Sequence, residues 1–267
     1  MIKQWLRSQF LVSTLMGLIF SLSCVHQASA QATQSSPNPG NHRIRYQLKE
    51  PPPTGNPPQT SGAGNRGGIG SCPIVNTPLT ALVPKLETSN GELIWGRTTE
   101  ARPTVWIYVP YALSPKLPGE LRLREQDVNG KPGNTTIARV TQTSPGVIGL
   151  RLPSGKALKV NQTYYWSFVV LCDLKDSSAN QFVKAAIQRV ATAPSLAKQL
   201  QTAQPLERAA LYARAGLWYD ALTQVAGLRQ SHPREATFVQ DWQALLADGG
   251  LDSSAMQEIV RVSPNAQ

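Results

Sequence analysis

The sequence predicts a β-sandwich followed by a helical hairpin, and three observations carry that prediction. Residues 72–193 hold short β-rich runs separated by Pro, Gly and Asn at intervals that suit a sandwich. After Ala193-Pro194 the apolar spacing changes from about two residues to about 3.6, the period of a helix. Cys72 and Cys172 bracket most of the β-rich part.

The amino end has the layout of a secretory signal: Lys3 and Arg7, an apolar run from Phe10 to Leu22, then Ala28-Ser29-Ala30, with cleavage expected near Ala30. A helix that spans a bilayer needs roughly twenty apolar residues, and this run is shorter. Lipoprotein processing at Cys24 is the competing reading, but Ser21 stands where that chemistry takes an aliphatic side chain. No later stretch is apolar for long enough to cross a membrane. The expectation is a periplasmic or secreted cell-envelope protein with no transmembrane segment after signal removal.

Residues 31–71 are dominated by Pro, Gly, Asn, Gln, Ser and Thr, and include Pro51-Pro52-Pro53. Such a composition buries too little apolar surface to offset chain entropy, so it predicts a disordered, polyproline-like leader. Arg66-Gly67-Gly68-Ile69-Gly70 lacks the Walker spacing and its Lys-Ser/Thr pair, and reads as a flexible approach to the folded part.

Strands are expected over Leu79–Val83, Glu92–Trp95, Thr104–Val109, Glu120–Gln126, Thr135–Thr141, Val147–Leu152, Thr163–Cys172 and Phe182–Val190. In Thr163–Cys172, Tyr164, Trp166, Phe168, Val170 and Cys172 share one face, because successive strand residues point to opposite sides. The opposite face, with Tyr165, Val169 and Leu171, is also largely apolar, which suits a central strand. In Glu120–Gln126, Leu121 and Leu123 point inward while Arg122 and Arg124 point to water. Leu158 precedes Tyr164 across a turn, as in the tyrosine corner of immunoglobulin-like and fibronectin-like domains. Residues 72–193 therefore resemble an immunoglobulin-like antiparallel β-sandwich.

Beyond it, Leu206, Ala209, Ala210 and Ala213, then Trp218, Leu222, Val225 and Leu228, form stripes on two helices joined near Gly216. A third helix is expected from Pro233 to Leu246, and a short fourth after Asp252. The spacing of Tyr212, Gly216, Ala221 and Pro233 resembles one tetratricopeptide repeat, so residues 194–267 read as a tetratricopeptide-like helical hairpin. Solenoids normally need at least three repeats, so such a hairpin must lean on the sandwich or on a partner.

Several pieces together are similar to the domain of unknown function family 928. They are Arg66-Gly67-Gly68, Leu79-Thr80-Ala81-Leu82-Val83-Pro84, Pro103-Thr104-Val105-Trp106-Ile107-Tyr108-Val109-Pro110-Tyr111 and Pro145-Gly146-Val147. Tyr164-Tyr165-Trp166, Cys172, Ile187-Gln188-Arg189-Val190 and the run from Tyr212 to Leu222 continue the match, which spans roughly residues 66–225. Ala185-Ala186 departs from the pattern, which has Gly and a larger apolar residue there. The resemblance implies an exported cyanobacterial lineage and no assigned activity.

Signal removal leaves Cys72 and Cys172 as the remaining cysteines. In an oxidising compartment a disulfide is the economical reading, and closing a loop of about 100 residues contributes roughly 4.7 kcal/mol in the chain-entropy model. The alternative, a zinc site, would have to recruit distant histidines to reach four ligands. Charge is uneven, at +3 over residues 31–71, +6 over 72–190 and −1 over 191–267. This balance favours anionic partners such as acidic polysaccharide or a membrane surface. Nucleic acid is excluded by the compartment and by the absence of a recognised binding motif.

Catalytic and metal patterns are not found. His42 lies in the leader and His232 in a helix-ending turn, and neither accompanies a nucleophile elbow or a triad. No His or Cys pair has metal-ligand spacing, and no cofactor is implied. Asp127-Val128-Asn129-Gly130 lacks the alternating oxygen ligands of a calcium loop and reads as a hairpin turn. Glycosidases need only two carboxylates, so an envelope glycan hydrolase stays open as the enzyme reading. Aromatic clusters at Trp106, Tyr108 and Tyr111, and at Trp218 and Tyr219, are the candidate interface residues, because adjacent aromatics on a strand or helix cannot all point into one core. The sandwich and hairpin are expected to meet through Trp218 or Tyr219. The sequence thus reads as a non-enzymatic envelope protein binding another protein or an anionic surface. A glycan-acting hydrolase is the alternative, and an accessory factor for surface-protein assembly or export is a third.

Overall fold

The computed structural model describes residues 44–49, 72–88, 91–126, 132–141, 143–252 and 258–260. The signal sequence, Cys24, His42, the glycine run at 66–70 and the turn at 127–130 lie outside the described residues, as does the start of the short helix expected after Asp252.

Ten strands and four α-helices occur among the described residues. The strands are β1 (Thr80–Ala81), β2 (Lys85–Thr88), β3 (Gly91–Thr98), β4 (Thr104–Val109), β5 (Gly119–Gln126), β6 (Pro132–Val140), β7 (Gly146–Arg151), β8 (Thr163–Val170), β9 (Gln181–Arg189) and β10 (Ile259–Val260). The helices are α1 (Pro194–Thr202), α2 (Pro205–Arg214), α3 (Trp218–Ser231) and α4 (Ala236–Asp248). One sheet has the order β1-β4-β7-β10 and the other β2-β3-β9-β8-β5-β6. The result is a sandwich-like β body followed by four helices.

Alternation explains the sheet faces. Tyr164, Trp166, Phe168 and Val170 of β8 are buried in the main core, together with Leu121 and Leu123 of β5. On the other sheet Val105, Ile107 and Val109 of β4 are fully buried. Trp106 lies opposite Gly149 in the β4–β7 ladder. A Cβ at residue 149 would come within 2.7 Å of the Trp106 ring, so glycine is what lets the indole lie against β7.

Local chemistry also sets where strands stop. β8 ends at Val170 rather than Cys172, because the Cys172 N–H turns to donate to Asn180 Oδ1 at 3.1 Å. The first ladder is confined to Thr80–Ala81; beyond it the Leu82 carbonyl accepts from the Trp218 indole at 2.8 Å. The Tyr164 hydroxyl accepts the Lys159 N–H at 2.9 Å and donates to Gln162 Oε1 at 3.0 Å, which ties the approach of β8 to the preceding turn. Cys72 and Cys172 form a disulfide with their Cα atoms 4.9 Å apart.

Three elements are absent from the sequence expectation. β2 is short and mixed in charge and pairs with β3 in a hairpin. α1 has Leu196 as its buried residue, too little for a recognisable stripe. β10 follows the segment where a short helix was expected, and it adds in parallel to β7.

The leader expectation needs correction at residues 44–49. This stretch runs extended against α2 and α4 instead of being disordered. The Ile44 N–H donates to Asp241 Oδ1 at 3.4 Å, the Tyr46 N–H to Asp248 Oδ2 at 2.9 Å and the Gln47 N–H to the Ala213 carbonyl at 3.1 Å. Ile44 and Tyr46 alternate with exposed Arg45, and both are buried. A period-two apolar pair is enough to anchor six residues whose flanks are rich in proline and glycine.

Sheets and helices share one hydrophobic cluster, which includes Trp106, Trp166, Trp218, Tyr219, Val225 and Trp242. Gly216, at φ +71°, turns the chain from α2 into α3.

Candidate functional site

Four of the five aromatic candidates are interior. Trp106 donates its indole N–H to Thr223 Oγ1 of α3 at 3.0 Å and meets Trp242 edge-on at 6.4 Å. Trp218 is fully buried and T-shaped to Tyr46 at 4.9 Å. The Tyr219 hydroxyl accepts from the Trp166 indole at 2.8 Å and donates to the Ala186 carbonyl at 3.3 Å. Burial therefore pushes the Tyr219 hydroxyl well above its ordinary range. Tyr111 is buried apart from these contacts, and burial likewise raises its hydroxyl. Tyr108 is half-buried, opposite Val147 and Thr80 in the ladder. Trp106, Trp218 and Tyr219 thus join α3 to the β body and present little surface to a separate partner.

Beside that junction lies a cleft of about 200 Å³ lined by Glu100, Arg102, Arg151, Tyr212, Asp220 and Gln224, among others. Asp220 is the third residue of α3, where a carboxylate faces the positive end of the helix dipole. It accepts from the Thr99 hydroxyl at 2.7 Å and from the Thr99 N–H at 3.2 Å, clasping the helix to the end of β3. Burial raises its carboxyl to about 6 against the opposing pull of the Thr99 and Thr98 hydrogen bonds, and the nearby negative charge of Glu100 adds to the rise. Asp220 follows the turn at Gly216 with no local partner in the chain; the residue it accepts from is 121 positions away, beyond any local pattern. A second cleft of about 380 Å³ shares Thr104, Arg151 and Thr223 with the first and is also lined by Val260 of β10.

The most distinctive surface is the outer face of the six-stranded sheet. Arg122 of β5 stands opposite Ser167 of β8, and Ser167 opposite Lys184 of β9. One row along, Arg124 faces Tyr165, Tyr165 faces Ala186, and Ala186 faces Trp95 of β3. Arg97 lies beside Gln188, which pairs with Thr163, and Arg139 of β6 lies beside Glu120. Five cationic side chains therefore share this face with Glu120. Glu120 is shared between Arg122 at 2.7 Å and Arg139 at 3.8 Å. Arg97, Arg124 and Lys184 make no ion pair among the described residues. Sequence alternation was enough to turn Arg122 and Arg124 to solvent; bringing Arg97, Arg139 and Lys184 to the same face required knowing which strands pair.

No group of three or more His, Cys, Asp or Glu side chains suited to a metal ion occurs among the described residues. Among them, no helix is long and apolar enough to cross a membrane.

No curated protein matches the chain. The family model described as Domain of Unknown Function (DUF928) matches residues 61–259, about three quarters of the chain. That span takes in both cysteines of the disulfide, the whole cationic face and the α3 segment that clasps β3, so the chain belongs to the DUF928 family.

Proposed function

We propose that this is an exported, non-enzymatic protein of the cell envelope that binds an anionic surface through the outer face of its six-stranded sheet. The observation that carries the reading is the charge of that face: five cations against Glu120, three of them unpaired among the described residues. Unpaired, partly exposed cations on one face attract polyanions and release counterions on contact. Export is supported by the secretory layout of residues 1–30 and by the Cys72–Cys172 disulfide, a bond typical of oxidising compartments. The two-part division at 72–193 and 194–267 belongs to the same reading.

An immunoglobulin-like description of the β body is supported by the order β1-β4-β7 in one sheet and β3-β9-β8-β5-β6 in the other, and by the Tyr164 hydrogen bond to the backbone of Lys159. A tetratricopeptide-like description of α2 and α3 is supported by their mutual packing about Gly216 and by the buried Ala221 near the turn.

Retention of the purified protein on dextran-sulfate and polyphosphate beads, measured against salt, tests the binding reading. The triple variant R122Q/R124Q/K184Q is expected to elute at clearly lower salt than the wild type. Equal elution of the two would remove the face as the binding surface. The mass of the native protein tests export, with an amino terminus at Gln31 as the expected result.

The hydrolase alternative has one observation in its favour: Asp220 and Glu100 line a single cleft, and the Asp220 carboxyl sits at about 6. Against it, both Asp220 oxygens accept from Thr99, which leaves the carboxyl poorly placed to pass a proton to a substrate. Turnover of peptidoglycan or capsular glycan that disappears in Glu100→Gln would establish the enzyme reading over the binding one.

A further inference from the structure

We infer that the occupant of this cationic sheet face is a linear acidic polysaccharide, an assignment that rests on the reading of the face as an anion-binding surface. Geometry supplies the first reason. Lys184, Ser167 and Arg122 lie opposite one another on β9, β8 and β5. Two interstrand steps therefore separate the two cations, about 10 Å across the sheet. The row through Tyr165 and Arg124 repeats about 7 Å further along the strands. An open lattice of separated cations matches a chain of regularly spaced charges better than it matches one compact anion, which a concave pocket would hold.

The groups between the cations supply the second reason. Ser167, Thr163, Tyr165 and Gln188 are half-buried on this face, and together they offer hydroxyl and amide donors and acceptors. Sugar hydroxyls can use all of these, whereas a lipid headgroup layer would use mainly the charges.

The apolar members of the face supply the third. Leu93, Trp95, Ala186 and Val169 are all buried at 9% exposure or less, and the first three pack into one cluster with Leu86 and Tyr165, while Phe182, the half-buried apolar side chain beside Val169, lies under the Lys184 ammonium at 4.7 Å. Interfacial membrane binding depends on apolar side chains that project into the acyl boundary; here the large apolar groups are buried or, at Phe182, covered by a cation.

The test uses the full protein, titrated with polygalacturonate, with neutral dextran and with vesicles of phosphatidylglycerol and phosphatidylcholine. The expected result is salt-sensitive binding to polygalacturonate that weakens at least tenfold in K184Q/R124Q. The change K198Q, on an exposed lysine of α1, should leave it unchanged. Ser167→Ala should weaken polygalacturonate binding severalfold without changing the salt dependence, a separation that charge attraction alone would not produce. Binding to the vesicles with none to polygalacturonate overturns the polysaccharide assignment and leaves the anion-binding reading standing. Binding to neither removes both. Equal binding of neutral dextran, or equal loss in K198Q, also overturns the assignment.

Discussion

Asp220 sits in an unusual balance, because desolvation pushes its carboxyl upward while the Thr99 and Thr98 hydrogen bonds pull it down. Its ordinary value of 3.8 rises to about 6 in the folded protein, so the folded state holds the proton more tightly than the unfolded one. The protonated side chain therefore contributes stability that is fully present below about pH 4 and is lost as pH rises through 6, on the order of 3 kcal/mol in total. Urea unfolding of wild type and Asp220→Asn between pH 4 and 7 isolates this contribution. The stability of the wild type minus that of the variant should fall as pH rises across that window, and a constant difference would mean that burial does not govern this carboxyl. Nothing near Asp220 in the chain foretells this, since Trp218-Tyr219-Asp220 reads only as a helix start. The shift belongs to the burial of α3 against β3, and the groups that oppose or add to it, Thr98, Thr99 and Glu100, lie about 120 residues earlier.

Residues 44–49 behave as an element even though they form neither helix nor strand. Ile44 is fully buried, and Tyr46 packs edge-on to Trp218. Replacing a buried Ile with Ala costs about 2–5 kcal/mol through lost transfer energy and the cavity left behind. Ile44→Ala is therefore expected to lower the urea midpoint markedly with an unchanged slope, whereas a detached leader would tolerate the change without effect. Gly216 serves the same element. A Cβ there would lie 2.9 Å from the Gln47 carbonyl, so the glycine both turns the hairpin and leaves room for the strap. The stripe of α2 and α3 could be read along the chain because helical period is local. The strap could not, because its partners Ala213, Asp241 and Asp248 are more than 160 positions away.

For the whole molecule, the shared core has a thermodynamic consequence. Trp218 and Tyr219 insert among side chains of both sheets, so the helices cannot melt while the β body keeps its packing. Unfolding followed by tryptophan fluorescence and by far-ultraviolet circular dichroism should give coincident transitions. The Cys72–Cys172 bond closes a loop across 100 positions, and its removal in C72S/C172S should lower stability by about 2–5 kcal/mol while the two transitions still coincide. Separate transitions would mean that the helical part is an independent domain.

Residue order alone was sufficient for features with a short period. The bounds Thr104–Val109 follow from alternating apolar side chains between proline breaks, the inner face of β8 from its aromatic alternation, and the turn at Gly216 from two flanking stripes. Pairing required the folded chain. The parallel contacts of β3 with β9 and of β10 with β7 join distant segments, and those contacts determine which cations share a face. Charge and burial are properties of neighbours in space. A lysine at 184 and arginines at 97, 122 and 124 become one surface only when four strands align, and Asp220 acquires its raised carboxyl only when α3 closes on β3.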